Sequence, residues 1–294
     1  MRAISSIGFI GLGVMGEAMC RNLTQKFSGT VIAHDLDPAP VARLGADGAE
    51  DATSLADVAS RADLVITCLP GGAQVRDLVM KDGGMAGLLG RGQTLIDMST
   101  SQPGLMREIA EALMPRGAAF ADAPIARTRQ AAADGTLAIM VGADDATFAH
   151  IRPVLDHMGS DVLHCGPVGA GQITKIMNNM VLFQNNVALA EALNIAEAHG
   201  MDGATLLANM SKGSGDSFAL RNHATKAMVP GTYPEKSFSV RYAAKDLSYA
   251  RDMAREAGLP TPGADTVATL FDAAIAAGDG DLYHPVIRRR LVKG

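Results

Sequence analysis

Apolar residues in the first 165 positions occur as short runs that alternate with amphipathic stretches. The runs are rich in β-branched residues and are typical of strands; they lie at Ile7–Ile10, Thr30–His34, Leu64–Cys68, Thr94–Asp97, Ala118–Ala121, Leu137–Val141 and Asp161–His164. The stretches between them have the spacing of helices; they include Met15–Gln25, Ser54–Ser60, Pro103–Met114 and Asp145–Met158. This alternation predicts βαβ units and a mostly parallel sheet.

The strand signals stop after Gly166, and the rest of the chain is typical of helices. Each long helical stretch ends at a glycine, as helix C-termini commonly do; the stretches are Gly171–His199, Phe238–Ala257 and Gly263–Ala277. The pattern therefore predicts an α/β domain over residues 1–165 and an all-α domain over residues 166–294.

Composition supports two globular domains and excludes several classes of protein. The 294 residues are 48% hydrophobic and 19% charged, and 26 basic against 31 acidic side chains give a net charge of −5, which disfavours nucleic acid as a partner. Cys20, Cys68 and Cys165 have no spacing typical of a metal site or a disulfide framework, so we expect no metal and a reducing cytoplasm. No window approaches the roughly 20 apolar residues of a membrane span.

A glycine-rich turn follows the first predicted strand. Gly11, Gly13 and Gly16 match the pattern G-x-G-x-x-G, with Val14 and Met15 between the last two, and a helix begins there. In this context the first glycine permits the turn, the second admits a pyrophosphate close to the backbone, and the third lets helix and strand pack closely. Val14 and Met15 are expected to lie over the pyrophosphate. The first domain is therefore predicted to be a dinucleotide-binding Rossmann domain.

Asp35 lies 19 positions after Gly16, where the second strand ends. A carboxylate there accepts hydrogen bonds from the adenosine ribose hydroxyls and would repel a 2′-phosphate, so NAD (NADH) is favoured over NADP. As an alternative, Asp35 could cap the helix after Pro38, a role that Asp37 could fill equally well.

Five ordered motifs resemble those of the β-hydroxyacid dehydrogenase family, which includes 3-hydroxyisobutyrate dehydrogenases and tartronate semialdehyde reductases. They cover nearly the whole chain: Gly11–Gly16, Asp122–Pro124, Gly135–Leu137, Gly169–Gly171 and Lys175–Asn179. The resemblance implies an active site in the cleft between a Rossmann and an all-helical domain. It also implies that Leu69 and Thr100 contact the cofactor and that Lys245 lies near the nicotinamide.

Lys175 and Asn179 are four residues apart, so on a helix they share a face, and Asn178 lies near the same side. Reduction of a carbonyl by hydride requires a proton for the oxygen, and a desolvated lysine can supply one near neutral pH. We therefore predict Lys175 as the acid–base residue, with Asn179 aligning it with the substrate oxygen. The alternative for a helical lysine is a solvated surface charge.

In most family members, Asp-Ala-Pro is followed by one hydrophobic residue and then by Ser-Gly-Gly, and this sequence departs from that pattern. Here Ala126, Arg127 and Thr128 occupy those positions. An Arg-Thr pair there resembles the sulfolactaldehyde reductase branch, which implies that Arg127 meets a sulfonate. The alternative is a solvated loop arginine.

The predicted function is reduction or oxidation of a small anionic aldehyde or hydroxy acid, with sulfolactaldehyde as the first candidate substrate and tartronate semialdehyde as the second. Ala126, Arg127, Thr128, Asn178, Asn179 and Leu182 form the predicted substrate-binding set. The remaining alternative is a non-catalytic NAD-binding sensor. The long helix 171–199 is apolar on more than one face, which favours a homodimer or homotetramer.

Overall fold

The structure, a computed structural model, describes residues 3–235 and 237–291. It contains two compact units, Met1–Lys175 and Ile176–Gly294. The division between the two compact units thus falls inside one long helix, Ala170–Ala198, and not before it. The domain boundary near residue 165 stays a prediction.

The described part of the first unit builds a nine-stranded sheet. In chain order the strands are β1 (Ser6–Ile10), β2 (Thr30–His34), β3 (Glu50–Asp51), β4 (Leu64–Thr67), β5 (Thr94–Asp97), β6 (Ala119–Asp122), β7 (Ile125–Ala126), β8 (Leu137–Gly142) and β9 (Gly159–Gly166). Their spatial order is β3-β2-β1-β4-β5-β6-β8-β7, with β9 beside β8. Pairing is parallel from β3 through β6, and β8 runs antiparallel to β6 and β7. The predicted mostly parallel sheet is confirmed.

Eight α-helices connect the described strands of this unit: α1 (Gly16–Lys26), α2 (Pro38–Ala46), α3 (Leu55–Arg61), α4 (Gly72–Met80), α5 (Met85–Leu88), α6 (Pro103–Leu113), α7 (Arg129–Asp134) and α8 (Asp145–Leu155). Short polar side chains cap several of them by accepting backbone hydrogen bonds. Asp37 caps α2, where its Oδ1 accepts from the N–H of Ala39 at 3.0 Å. The capping role considered for Asp35 therefore belongs to Asp37.

Both faces of the sheet are buried, which explains why its strands are almost continuously apolar. Leu64 and Ile66 of β4 belong to an apolar cluster on one face, with Phe9 and Met19. Val65, between them, belongs to the cluster on the other face. The carboxyl ends of the strands are thereby held in one row, from which the loops of the candidate site emerge.

The second unit is helical, as predicted. Its helices are α9 (Ala170–Ala198), which begins in the first unit, α10 (Gly203–Met210), a π-helix at Leu220–Met228, α11 (Val240–Glu256), α12 (Pro262–Ala276) and a 3-10 helix at His284–Arg290. In the part of the chain that the structure describes, no helix has the length and apolar character needed to span a membrane.

A buried polar cluster lies in the aromatic core of this unit. His284 is fully buried and makes an edge contact with Phe183, their ring centroids being 5.2 Å apart. The side-chain amide of Asn186 lies 3.4 Å from Nδ1 of His284, and the hydroxyl of Tyr283 lies 3.2 Å from Nδ1 of His223. Burial lowers the pKa of His223 to about 4 and that of His284 well below its ordinary value. Both histidines are therefore neutral in the folded protein at physiological pH.

Acid should destabilise the protein through these histidines. A neutral buried histidine stabilises the fold fully above the unfolded-state pKa near 6.5, and this stability is lost as pH falls toward the folded-state pKa, which for His223 is about 4. Between pH 7.5 and pH 5, His223 should contribute a loss of about 2 kcal/mol in the free energy of unfolding. Measured by urea unfolding, the free energy of unfolding of His223→Gln should fall by about 2 kcal/mol less than that of the wild type between pH 7.5 and pH 5. An unchanged pH dependence would contradict this assignment.

Candidate active site

The three glycines after β1 differ in what surrounds them. Gly11 has φ +95°, and a Cβ there would lie 2.4 Å from the carbonyl oxygen of Cys68. A Cβ on Gly16 would lie 2.0 Å from the carbonyl oxygen of Gly11. Gly13 has no neighbouring atom within 4 Å of its Cβ position. Two glycines are therefore required by close backbone packing, and the third leaves an open surface on which a pyrophosphate fits.

Helix α1 begins directly behind this loop. Its N-cap residue, Met15, makes no side-chain capping hydrogen bond, so the capping position leaves the helix end open to an anion. Val14 is 54% exposed and Met15 is half-buried, which leaves both beside the open loop surface. The residues present thus fit the phosphates of a dinucleotide.

Asp35 faces the glycine loop from the end of β2. Its Oδ2 accepts a hydrogen bond from the N–H of Leu12 at 2.5 Å, and its Oδ1 accepts from the N–H of Asp37 at 2.8 Å. The carboxylate therefore joins the loop to the start of α2. Its orientation is fixed before any ligand binds, and carboxylate oxygens can accept further hydrogen bonds from ribose hydroxyls.

A buried network connects the loops that follow β4 and β5. Asp97 is fully buried and its Oδ1 accepts from the hydroxyls of Thr67 at 2.9 Å and Ser99 at 2.6 Å. The Ser99 hydroxyl in turn accepts from the N–H of Leu69 at 2.9 Å. Burial raises the pKa of Asp97 above its ordinary value. The network holds Leu69 and Thr100, both predicted cofactor contacts, on neighbouring loops at the carboxyl ends of adjacent strands.

The start of α9 is fixed by Asp122, at the end of β6. Its Oδ1 accepts from the N–H of Gly169 at 2.6 Å, and its Oδ2 accepts from the N–H of Gln172 at 2.8 Å. Burial raises the pKa of this carboxyl to about 6, although both backbone hydrogen bonds act to lower it. A Cβ on Gly171 would lie 2.2 Å from the carbonyl oxygen of Met140, so the first turn packs directly on β8.

Gln172 ties the same turn to the loop after β5. It is fully buried, its Oε1 accepts from the N–H of Ser101 at 3.0 Å, and its Nε2 donates to the carbonyl of Ser99 at 2.8 Å. Lys175 follows one turn later on α9 and is only 8% exposed. The alternative of a solvated surface lysine is thereby disfavoured.

Asn179 belongs to the second unit and has a buried acidic partner. Its Nδ2 donates to Oδ2 of Asp246 at 2.8 Å, and its Oδ1 accepts from Asn178 at 3.3 Å. Nζ of Lys245 lies 3.0 Å from Oδ1 of Asp246 and also lies over the rings of Tyr242 and Tyr249. The amide of Asn179 is thus oriented by Asp246, with its oxygen left as the acceptor.

Arg127 has an unusual backbone and a guanidinium that donates three hydrogen bonds within the protein. Its φ is +88°, the only positive φ of a non-glycine residue in the described chain. Its Nη1 donates to the Thr136 carbonyl at 2.6 Å and to the Ser160 hydroxyl at 2.7 Å, and its Nη2 pairs with Asp161 at 2.6 Å. The positive φ agrees with the glycine that most of the resembled family has here. The N–H that Nη2 directs at Asp161 would have to leave that carboxylate before it could bind a substrate anion.

The other predicted substrate contacts have different surroundings. Ala126 lies in β7 and pairs with Ala138 of β8. Thr128 caps α7, where its hydroxyl oxygen accepts from the N–H of Ala131 at 3.3 Å and its own proton can still be donated. Leu182 packs against the apolar core of the second unit. The sequence prediction had not included Asp97, Gln172 or Asp246 in the site.

Comparison with known proteins agrees with this geometry. The pattern of the NAD binding domain of 6-phosphogluconate dehydrogenase matches residues 6–166, and that described as NAD-binding of NADP-dependent 3-hydroxyisobutyrate dehydrogenase matches residues 169–290. The 2-(hydroxymethyl)glutarate dehydrogenase of Eubacterium barkeri is 35% identical over 274 residues, covering 93% of this chain and 90% of that protein. The NAD-dependent L-serine dehydrogenase of Pseudomonas aeruginosa is 32% identical over 291 residues, covering 97% of each.

Among solved structures, the Mycobacterium tuberculosis 3-hydroxyisobutyrate dehydrogenase described with L-serine superposes with a TM-score of 0.89. It is 31% identical and the match covers 99% of this chain and 100% of that chain. Sheet order, glycine loop and helical second unit define an oxidoreductase that uses a nicotinamide dinucleotide. The chain belongs to the β-hydroxyacid dehydrogenase family, whose members are dehydrogenases of the 3-hydroxyacid type.

Asp35 should determine cofactor preference. We expect Asp35→Asn to bring the dissociation constants for NADH and NADPH about tenfold closer together, because a carboxylate that repels the 2′-phosphate becomes neutral. Cofactor fluorescence titration measures both constants. Asp37→Asn, which changes a neighbouring carboxylate that caps α2, is the matched control and should leave the ratio unchanged. Wild-type protein that binds NADPH as tightly as NADH would contradict this role of Asp35.

Proposed function

We propose that this protein transfers a hydride between NAD(H) and a three- or four-carbon aldehyde or hydroxy acid with an anionic terminus. The observation that carries the proposal is the placement of Lys175, buried one turn after a helix start that Asp122 and Gln172 fix to the sheet. Bound NADH supplies the hydride for the carbonyl carbon, and NAD⁺ accepts it in the reverse direction. The chain itself supplies the proton.

In the reductive direction, Nζ of Lys175 donates a proton to the carbonyl oxygen, so the aldehyde becomes an alcohol. In the oxidative direction the neutral amine accepts the hydroxyl proton. Lys175 is only 8% exposed, which favours a lowered pKa for its amine, and the anchored first turn of α9 keeps its position reproducible.

Asn179 lies four residues beyond Lys175 on α9 and is proposed to align the reacting groups. Asp246 accepts from its Nδ2, and its Oδ1, which already accepts from Asn178, has a second lone pair that can accept a hydrogen bond from the substrate hydroxyl or from an ammonium group. Asp246 is therefore a positioning residue that acts through Asn179, and it also neutralises Lys245.

The first candidate substrate pair is sulfolactaldehyde and 2,3-dihydroxypropane-1-sulfonate. Arg127 supports it, since a guanidinium stands where most of the family has a glycine and can bind a sulfonate through two hydrogen bonds. Thr128 and Asn178 could donate to the remaining oxygens. Binding would exchange the carboxylate of Asp161 for the substrate anion, so that the arginine has a counter-charge in both states.

A carboxylate substrate, with tartronate semialdehyde first, is the second candidate. The relatives named for 2-(hydroxymethyl)glutarate, 3-hydroxyisobutyrate and L-serine all indicate hydroxy acids with a carboxylate, which favours this alternative. The pairing of Arg127 with Asp161 also favours it, because a guanidinium kept by Asp161 leaves the substrate anion to other donors. A non-catalytic NAD-binding sensor is disfavoured by the buried Lys175.

We further propose a cytoplasmic homodimer or homotetramer. Three free cysteines fit a reducing compartment. Val181 and Ile195 of α9 are 53% and 63% exposed, which is unusual for large apolar side chains on a long helix and supports burial against a second copy. Sedimentation that shows only monomer would contradict this assembly.

Lys175→Ala should lower kcat by about a hundred- to ten-thousand-fold, because it removes the proton donor. The dissociation constant for NADH should remain within about threefold, since the glycine loop is untouched. Stopped-flow turnover and fluorescence titration give the two values. Lys81→Ala, at an exposed lysine paired with Asp77, is the control and should change neither. Near-native kcat in Lys175→Ala would remove this lysine from the mechanism.

Arg127→Ala should reduce kcat/KM for sulfolactaldehyde by at least about thirtyfold, and far less for an uncharged short aldehyde. Asp161→Asn is the discriminating partner variant. If Arg127 binds the substrate, release from Asp161 should preserve or raise kcat/KM for the sulfonate. If Arg127 only supports the β8–β9 edge, both variants should slow the charged and uncharged substrates equally, and tartronate semialdehyde becomes the first candidate.

A further inference from the structure

Glu17, the second residue of α1, binds two arginines. Its two carboxylate oxygens pair with Nε and Nη2 of Arg43, each at 2.8 Å, and its Oε1 also pairs with Nη2 of Arg21 at 3.0 Å. The hydrogen bonds from Arg43 contribute most to lowering the pKa of Glu17 to about 2. The carboxylate is therefore ionised throughout the physiological range, and Arg43 is held by both of its oxygens.

Arg43 lies on the helix that follows the predicted ribose site. Helix α2 begins three residues after Asp35, and Arg43 lies in its second turn, within electrostatic range of Asp37. Its side chain is 55% exposed, and its ion pair with Glu17 holds the guanidinium at 2.8 Å. Arg21, on α1, is held additionally by Asp47 at 2.7 Å.

An arginine near the end of the second strand is what NADP-binding Rossmann domains use to neutralise the 2′-phosphate. Arg43 has the charge, the exposure and the position along the chain for that role. The bidentate pairing with Glu17 commits its planar donors elsewhere, and a 2′-phosphate would have to displace a carboxylate to recruit them.

We propose that Glu17 is a specificity-determining residue, which disfavours NADP by occupying the donors of Arg43 that a 2′-phosphate would need. Glu17 thus acts together with Asp35. Glu17 binds the cation of Arg43, which would otherwise attract a 2′-phosphate, and the carboxylate of Asp35 repels that phosphate. The inference rests on the proposed use of NADH.

The test is fluorescence titration of the full-length protein with NADPH and NADH, which needs no substrate. Glu17→Ala should tighten NADPH binding by about tenfold, whereas NADH binding should stay within about threefold. The gain should diminish as salt is raised, because an exposed arginine is screened. Glu17→Gln, which removes the charge and keeps the size, should reproduce the effect if the alanine variant folds poorly.

Two further variants make the outcome specific to Arg43. Asp47→Ala removes an acidic partner of Arg21 and leaves the Arg43 pair intact, so the ratio of the two dissociation constants should not change. Adding Arg43→Ala to Glu17→Ala should abolish the gain for NADPH. The inference is overturned if Glu17→Ala and Glu17→Gln leave the ratio unchanged, or if the double variant keeps the gain. Wild-type protein that binds neither dinucleotide would instead overturn the proposed function.

Discussion

The buried carboxylate of Asp122 is the interaction on which the arrangement of the site depends. It ends β6 and accepts the backbone hydrogen bonds of Gly169 and Gln172, so the sheet and the start of α9 share one anchor. A helix N-terminus has unpaired N–H groups and a partial positive charge. An ionised carboxylate accepts hydrogen bonds from those groups and offsets the charge. Removing it would leave two buried donors unpaired, at about 1–3 kcal/mol each. The position of Lys175 therefore depends on a residue more than fifty positions away in sequence.

Charged groups around the candidate site are held in pairs before any ligand arrives. Arg127 has Asp161, and Arg43 has Glu17. Partly exposed pairs of this kind contribute little stability, about 0–1 kcal/mol each. Under the proposed function their effect is on recognition instead, because each pair would set which charge an incoming anion meets and which it must displace.

Sequence patterns predict the strands, the glycine loop and the main helices because each depends on local periodicity or a fixed spacing. The two-residue strands β3 and β7 were not predicted, since two residues cannot show a period. Asp97, Gln172 and Asp246 were missed because their roles depend on partners that only the fold brings near. An acidic residue ending an apolar strand, as Asp97 does, is the one local signal that could have indicated a site. For Arg127 the sequence predicted a guanidinium at the substrate-binding position but could not predict its pairing with Asp161, because Asp161 is distant in sequence.

The backbone of Arg127 has a conformational cost that its side-chain contacts offset. A non-glycine residue at φ +88° stores roughly 1–3 kcal/mol of conformational strain that a glycine would not. A glycine here would relieve that strain, but it would also remove the hydrogen bonds by which the guanidinium joins Thr136, Ser160 and Asp161. At this position backbone strain and side-chain anchoring therefore act in opposite directions, and a glycine substitution would remove both at once.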